Sequence, residues 1–248
     1  MPEPISCIQA NWPLAGSVSA ITSTRKGGLS HSPYDSLNIA FHVDDETELV
    51  QQNRQRLITH LSLPTPPLWL NQTHSTIVID AKDWQDGIEA DAIYTNQVDQ
   101  VCAVMTADCL PVLLCNRSCT EVAAIHAGWR GLADGIIEKT VRCFTDPPEE
   151  IFAWLGPAIG PEKFEVGLDV FDHFYAHDHQ ASSAFTSTDD KHFLADIYAL
   201  AKQRLITVGI QQISGGQYCT VSDRERFFSF RRDGETGRMV SLIWIPSK

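Results

Sequence analysis

The segment VCAVMTADCLPVLLC, residues 101–115, carries the strongest fold signal in this chain of 248 residues. It is almost continuously apolar, which is typical of strands that are buried on both faces. Residues 106–108 interrupt the run, so we predict two strands, Val101–Thr106 and Pro111–Cys115. Cys109 therefore lies at the turn where two buried strands meet.

Further strands and helices follow on either side without a strict βαβ rhythm. This irregular alternation predicts an α+β or irregular α/β fold, in which mixed β-sheets pack against outer helices in a single domain, residues 1–248. The polar stretch Ala181–Lys191 reads as a mobile surface loop. The other predicted strands are Thr76–Asp80, Glu121–Ala127, Ile151–Leu155, Gln212–Cys219, Phe227–Phe230 and Val240–Ile245, and the predicted helices are Glu46–Leu61, Leu132–Phe144 and Asp196–Val208.

Composition narrows the class of protein. The net charge of −12 would repel a nucleic-acid backbone, although a few arginines focused in one cleft can still bind a small anion. No apolar run approaches the ~18 residues of a membrane span, and no secretion-signal pattern is visible. Seven cysteines without a C-x-x-C pair are typical of reduced thiols. We therefore expect a cytoplasmic protein that binds neither a nucleic-acid polymer nor a membrane.

Three candidate metal ligands lie in separate turn-like segments at the ends of apolar strands. They are His74, Cys109 and His126, separated by 35 and 17 residues. One thiolate and two imidazoles suit a zinc-class ion and leave one coordination position free, as in catalytic zinc sites. Taken singly, each has an ordinary explanation, because a cysteine in an apolar strand usually belongs to the core and a loop histidine is usually solvated.

A competing hypothesis keeps Cys109 as a nucleophile with His126 or His74 as its base. The same thiolate cannot serve freely as both ligand and nucleophile. Asp108 adjoins Cys109, and it either orients a histidine and carries a proton or caps a turn.

Basic residues near glycine-rich turns are candidate anion sites. Arg25 lies in Thr24–Ser30, where two glycines let the backbone approach a ligand, although a surface hairpin explains the same residues. Arg130 follows His126 in a strand-to-helix turn, where free amides attract phosphate. Arg231 belongs to an arginine pair that fits an anion site or a salt-bridge network equally well.

Several of these stretches together resemble the YfiH-like "laccase-domain" proteins, also described as multi-substrate purine nucleoside phosphorylases. The resemblance runs from about residue 20 to 245. Two departures are visible, since Ser75 stands where glycine often follows the metal histidine and Phe230 stands where tyrosine is common. The stretches that carry it are TRKGG (24–28), LN (37–38), QTH (72–74), ADA (90–92), TADCLPVLL (106–114), IHAGWRG (125–131), LGPAIG (155–160), FEVG (164–167) and FRRDG (230–234).

The resemblance implies a zinc site at His74, Cys109 and His126, with Asp108 beside it, and a YfiH-like fold. It also implies phosphorolysis of adenosine, inosine, guanosine and methylthioadenosine, with adenosine deaminase activity. We therefore predict a zinc-dependent purine nucleoside phosphorylase whose partners are a nucleoside and phosphate. The sequence does not predict an oligomeric state. The predicted catalytic residues are His74, Cys109, His126 and Asp108, and the predicted substrate or phosphate contacts are Arg25, Asn38, Arg130 and Arg231.

Other functions remain open at this level. The first alternative is a Cys/His amidohydrolase that acts on a peptide or peptidoglycan precursor. The second is a laccase-like polyphenol oxidase that uses copper. A blue multicopper oxidase needs several His-x-His pairs, and 177–179 is the only one in this chain. A non-catalytic structural zinc site would need a fourth protein ligand, and no fourth histidine or cysteine lies in a similar turn.

Overall fold

The computed structural model describes residues 3–14 and 18–247. Within those ranges the chain forms thirteen strands and six α-helices. The strands are β1 (Cys7–Gln9), β2 (Ser19–Ser23), β3 (Val78–Asp80), β4 (Ala92–Thr95), β5 (Cys102–Thr106), β6 (Leu110–Asn116), β7 (Val122–Ala127), β8 (Ile151–Leu155), β9 (Glu165–Gly167), β10 (Phe185–Ser187), β11 (His192–Ala195), β12 (Gln212–Gly215) and β13 (Met239–Trp244). The helices are α1 (Thr47–Leu61), α2 (Trp129–Ala133), α3 (Ile136–Val141), α4 (Leu168–His177), α5 (Ile197–Thr207) and α6 (Phe230–Asp233).

Two large sheets contain the long strands. The six-stranded sheet has the order β12–β8–β6–β7–β4–β3 and is mixed, because its two outer pairs are parallel and its central pairs are antiparallel. The four-stranded sheet, β1–β2–β13–β5, is antiparallel throughout. A small sheet, β10–β11–β9, lies apart from both. The predicted α+β class with mixed sheets is confirmed.

Alternation along β5 and β6 explains the apolar run that joins them. Cys102 and Val104 of β5 belong to the same buried cluster as Leu113 and Cys115 of β6, so the two sheets pack face to face there. The intervening residues of β5 pack with α1, and those of β6 pack with α2 to α5. The order of layers is therefore helix, sheet, sheet, helices, and both central strands are buried on both faces.

The predicted helix Leu132–Phe144 is wrong as a single element. The chain forms α2 and α3 instead, and the break falls at Gly135, whose φ of +90° lies outside the helical region. The predicted helices Glu46–Leu61 and Asp196–Val208 are confirmed to within one residue at each end as α1 and α5. Helix α4 was not predicted from the sequence.

The predicted strand Phe227–Phe230 is also wrong. Residues 227–229 are irregular, and α6 begins at Phe230 because the Ser229 hydroxyl accepts a hydrogen bond from the Arg232 amide at 3.2 Å. Phe227 and Phe228 are nevertheless fully buried in a small cluster with Met239. The aromatic residues of this segment therefore reflect burial in a core cluster, not pairing in a sheet.

Two further segments differ from the expectation. Strand β12 ends at Gly215, because Gly215 and Gly216 both take positive φ. The stretch Ala181–Lys191 contains strand β10, so it is not a single loop. None of the helices in residues 3–14 and 18–247 is both long and apolar enough to cross a bilayer.

Candidate metal centre

Strand pairing brings Cys109 beside His126. Strands β6 and β7 are antiparallel, with Leu110 opposite Ala127 and Pro111 opposite His126. The residue before β6 therefore lies next to the end of β7. Asp108 has φ +89°, so the turn that moves the chain from one sheet to the other is strained at the residue before Cys109.

His74 reaches the same place on the loop that precedes β3. Its backbone has φ +59°, in the left-handed region. The Gln72 side chain fixes this loop to the open edge of β5, because it donates to the Met105 carbonyl at 2.8 Å and accepts from the Met105 amide at 2.7 Å. These contacts give β5 the hydrogen bonds of a neighbouring strand on its unpaired edge.

The three side chains converge at distances that fit a metal ion. One ligand atom from each of His74, Cys109 and His126 lies within 4.8 Å of the others. The His74 Nε2 to Cys109 Sγ distance is 3.7 Å, and a tetrahedral zinc with ordinary bond lengths would set it at about 3.6 Å. Gly128 is required here, because a Cβ on it would lie 2.6 Å from the His74 ring and 3.3 Å from the sulfur.

Asp91, just before β4, organises two of these ligands from behind. Its Oδ1 accepts from His126 Nδ1 at 2.7 Å and from the His74 amide at 3.1 Å. Its Oδ2 accepts from the Ser75 amide at 2.6 Å and from the Ser75 hydroxyl at 2.7 Å. Proton donation from Nδ1 leaves His126 Nε2 as the free ligand atom, which is the usual carboxylate–histidine–metal arrangement. Ser75, the departure from glycine, supplies one of these donors.

The charges of these groups are coupled. Burial opposes ionisation of Asp91, but hydrogen bonds from His126 and Ser75 outweigh it and lower the pKa of this carboxyl to about 2. Burial also opposes ionisation of Cys109, yet His126 and His74 lower the pKa of the thiol. The pKa of His126 is raised by Cys109 and Asp91 against the effect of its burial. The site therefore favours a thiolate, which is the form that binds a metal.

Two cavities meet at Cys109 and Phe230. The first, the apolar cavity, has a volume of about 190 Å³. The second, the basic cavity, has a volume of about 330 Å³. The apolar cavity is lined by Ala107, Asp108, Cys109, Trp129, Ile159, Phe164, Ile197, Phe230 and Arg231. The basic cavity is lined by His42, Gln72, His74, Met105, Thr106, Ala107, Cys109, His126, Phe230 and Arg238.

Asp108 lies at the wall of the apolar cavity with both carboxylate oxygens occupied. Oδ1 accepts from the Thr220 hydroxyl at 2.5 Å, and Oδ2 accepts from the Arg231 amide at 2.6 Å. The side chain is buried. These bonds attach the turn before Cys109 to the start of α6, so Asp108 positions Arg231 and Phe230 at the cavity.

The four predicted substrate contacts are divided between different places. Arg231 lines the apolar cavity, where its guanidinium donates to the Glu165 carbonyl at 2.8 Å. Arg130 is exposed and covers the Trp129 ring at 4.3 Å. Asn38 is fully buried; its amide donates to Asp45 and its carbonyl oxygen accepts from the Arg238 amide. These bonds make Asn38 a support for Arg238.

Arg25 lies elsewhere. It lines a cavity of about 840 Å³, which shares no lining residue with the two cavities at Cys109. We call it the arginine cavity. Its charged lining residues are Arg25, Lys26, Arg224, Arg232, Glu3, Asp35, Glu225, Asp233 and Glu235.

The sequence analysis missed the residues that complete the basic cavity. The Arg238 guanidinium donates only to backbone carbonyls, those of Thr236 and Gly237. Burial, then the positive charge of Arg238, lowers the pKa of His42. The buried Thr106 hydroxyl has no hydrogen-bond partner among the described residues. No motif marks Arg238 or His42, and Thr106 was noted only as the end of a predicted strand and the first residue of the stretch 106–114, although a basic residue just before the last strand was a readable signal for Arg238.

Comparison with known proteins adds a family context. The sequence model for the family described as "Multi-copper polyphenol oxidoreductase laccase" matches residues 19–246. A Shigella flexneri protein named "Purine nucleoside phosphorylase YfiH" is 55% identical over 239 residues, covering 96% of this chain and 98% of the relative. A Haemophilus influenzae "Purine nucleoside phosphorylase" is 49% identical over 243 residues, covering 97% of this chain and all of the relative.

Solved structures match as well. A crystal structure of a Neisseria meningitidis protein of the DUF152 family superposes with a TM-score of 0.94 at 47% identity, covering 97% of this chain and 99% of that one. The crystal structure of YlmD from Geobacillus stearothermophilus gives a TM-score of 0.90 at 27% identity, covering all of this chain and 98% of that one. The fold described above is therefore shared with both.

Proposed function

Because the chain belongs to the family described as "Multi-copper polyphenol oxidoreductase laccase" and has relatives named purine nucleoside phosphorylases, we propose that it is a purine nucleoside phosphorylase. One observation carries the proposal. The cysteine–histidine cluster lies at the junction of an apolar, aromatic cavity and a basic one. A nucleoside and phosphate have this same division of chemistry, with a flat base on one side of C1′ and an anion on the other.

The apolar cavity suits the purine. Trp129, Phe164 and Phe230 give it aromatic walls, and Ile159 and Ile197 complete it. Such walls bury the faces of a planar base. Arg231 and Asp108 are the polar groups at the rim of this cavity. Arg231 is placed to meet an edge of the base, held by the Glu165 carbonyl and by the bond from its own amide to Asp108.

The basic cavity suits phosphate. Within residues 3–14 and 18–247, Arg238 has no carboxylate within 4 Å, so its charge is free to attract an anion. His42 lines the same cavity, and the unpartnered Thr106 hydroxyl adds a neutral donor. In phosphorolysis a phosphate oxygen forms a bond to C1′ while the bond from C1′ to the purine nitrogen breaks, and that nitrogen takes up the proton that the attacking phosphate releases. Arg238 holds the attacking anion, and its positive charge offsets the negative charge of the phosphate.

We assign His74, Cys109 and His126 as ligands of a zinc ion, supported by their spacing and by the proton held on His126 Nδ1. When bound, such an ion supplies Lewis acidity at the junction of the two cavities. Asp91 keeps both histidines in place, and Gly128 keeps room for the sulfur. The proposal extends to adenosine deamination. Cys109 lines the apolar cavity, so an ion held there would lie beside a purine bound in that cavity. The domain prediction, residues 1–248, and the cytoplasmic location belong to the same proposal.

Product analysis of adenosine tests the activity. With phosphate, the protein is expected to yield adenine and ribose-1-phosphate; without phosphate, it is expected to yield inosine. The protein is assayed as purified and after chelation, with metal content measured in both samples. If phosphate produces neither adenine nor ribose-1-phosphate in a zinc-containing sample, the phosphorylase proposal is wrong.

The same samples distinguish the two alternatives. A Cys/His amidohydrolase predicts that Cys109→Ala abolishes activity while the metal content stays unchanged. A laccase-like oxidase predicts bound copper and oxygen consumption with a phenolic substrate. Loss of one zinc per chain together with activity in Cys109→Ala supports the phosphorylase over both.

A further inference from the structure

A second histidine–carboxylate cluster lies on the surface, away from Cys109. One ligand atom from each of Asp134, His173 and His177 lies within 4.8 Å of the others, and all three residues are exposed. Asp134 Oδ1 lies 2.6 Å from His173 Nε2. The His173 and His177 ring centroids are 5.5 Å apart.

Local structure explains why these residues meet. His173 and His177 are four residues apart in α4, so they lie one above the other on the same face. Asp134 is the C-terminal cap of α2, and His177 is the last residue of α4. The C-terminal end of α4 carries partial negative charge, which favours a cation nearby, whereas the last carbonyls of α2 already accept hydrogen bonds from the Arg204 guanidinium. The net charge of −12 attracts cations to the surface as a whole.

We propose that Asp134, His173 and His177 bind a second divalent transition-metal ion, of the class that includes Zn²⁺, Co²⁺ and Ni²⁺. Two imidazoles and one carboxylate are ligands that these ions prefer, and the remaining positions face water. Asp134 Oδ1 and His173 Nε2 already lie close to the ~3 Å that separates two cis ligands of a six-coordinate ion with bonds of ~2.1 Å. The ligand atoms of the cluster lie within 4.8 Å of one another, so the side chains must draw closer around an ion. It differs from the first site in having no thiolate.

Another exposed pair shows what distinguishes this cluster from an ordinary ion pair. His192 and Asp189 are also exposed and lie within 2.9 Å of each other. No third histidine or carboxylate joins that pair in any ligand-type cluster among the described residues. His177 is therefore the residue that turns an ion pair into a chelating set.

An ion at this second site would fasten α2 to α4 beside the apolar cavity. The Trp129 ring, which lines that cavity, meets the His173 ring edge-on at a centroid distance of 6.1 Å. Trp129 is also the first residue of α2. Occupancy of the second site therefore changes the surroundings of a wall of the proposed base-binding cavity.

Cobalt titration of the chelator-treated protein tests the proposal. Wild type is expected to bind two Co²⁺ per chain, and only the ion at Cys109 carries a near-ultraviolet thiolate charge-transfer band. His177→Ala is expected to lose one ion and keep the band. Cys109→Ala is expected to lose the band and keep one ion. Ni²⁺ is expected to raise the thermal midpoint of Cys109→Ala but not of the double variant Cys109→Ala, His177→Ala.

His192→Ala is the matched control, and it is expected to bind as wild type does. Unfolding midpoints in chelator identify any variant that fails to fold. Equal cobalt stoichiometry in wild type and His177→Ala overturns the proposal, as does a single ion per chain that disappears in Cys109→Ala. A missing thiolate band with the His177-dependent ion still present would overturn the first site alone, so the two assignments fail separately.

Discussion

The basic cavity and the arginine cavity both contain arginine, and they differ in how its charge is balanced. In the arginine cavity, Arg25 pairs with Asp35 at 3.2 Å and Arg232 pairs with Asp233 at 2.6 Å. In the basic cavity, Arg238 forms no ion pair with a carboxylate among the described residues, and its guanidinium donates to two backbone carbonyls. A paired arginine stabilises the structure around it, whereas an arginine held by neutral groups keeps its charge for a ligand.

The same contrast extends to the carboxylates. Asp91 is buried, and its hydrogen bonds position the two histidines and their loop. The ring nitrogen of His126 that faces the metal site is therefore left free. Asp233 instead forms salt bridges with two arginines, Arg224 and Arg232. We therefore interpret the arginine cavity as structural, and the apolar and basic cavities as functional. Each experiment below either breaks this division or defines it more narrowly.

Loss of the thiolate has the largest expected effect. Cys109→Ala removes one of three proposed ligands, and phosphorolysis is expected to fall by about 10³-fold, because a Lewis-acid contribution of several kcal/mol is lost. Cys143→Ala is the matched control, because Cys143 is exposed and lies outside all three cavities. Activity and bound zinc are measured in both variants. Full zinc with full activity in Cys109→Ala would remove the metal centre from the functional region.

Replacing Arg238 and Arg25 one at a time tests the division between functional and structural cavities directly. Arg238→Gln is expected to raise the KM for phosphate by about 10–100-fold, because a charge-assisted bond to the anion is worth about 1.5–3 kcal/mol. Arg25→Gln is expected to change that KM by less than about 3-fold and instead to lower the unfolding midpoint, since Arg25 binds the Asp35 carbonyl and covers the Phe228 ring. The opposite pattern would restore Arg25 as the phosphate contact that the sequence predicted.

Asp91→Asn tests whether the Asp91 carboxylate positions the proposed metal ligands. The amide replaces one acceptor oxygen by a donor, which faces donors from His126 or Ser75. Metal affinity is expected to fall by about 10–100-fold. Asp80→Asn is the control, since Asp80 caps a surface turn with its side chain. Competition with a chromophoric chelator measures both; unchanged affinity in Asp91→Asn would contradict its positioning role.

The smallest effect concerns acid stability of the arginine cavity. Hydrogen bonds from Arg232, opposed by partial burial, lower the pKa of Asp233. A lowered folded-state pKa stabilises the protein above the unfolded value of about 3.9, and this contribution is lost as the pH falls through and below that value. Asp233→Asn is expected to reduce the acid-induced loss of unfolding free energy by up to about 1 kcal/mol. Urea unfolding at pH 6 and pH 3.5 measures it, and equal losses in the two proteins would count against the ion pair.

The three candidate ligands could be picked out from the sequence because they lie at the ends of readable strands. The apolar run of residues 101–115 located Cys109, and the glycine turn after β7 located His126. Pairing of β6 with β7 then followed from ordinary antiparallel geometry. His74 was predicted from its turn-like segment beside the next strand, and the family resemblance then supported it, because a loop histidine has no periodicity of its own.

Residues that act through tertiary contacts were not predictable from local pattern. Arg238 lies outside every quoted stretch, and Asp91 was noted only within ADA (90–92); their contacts appear only when separate strands meet. Phe227–Phe230 misled for the opposite reason: its apolar residues match a strand, but the Ser229 cap directs the chain into α6. For Arg25, the glycine-rich turn does not reveal the carboxylate that pairs with the arginine.

The crossing from β5 to β6 joins the two sheets and carries Cys109 at its end. A cation bound to this thiolate and to His126 would fasten the end of this crossing to β7, within the six-stranded sheet. Opening of the turn before β6 then requires breaking coordination bonds. Backbone amides of residues 106–110 should therefore exchange with deuterium more slowly in the loaded protein, and proteases should find the unloaded protein easier to open.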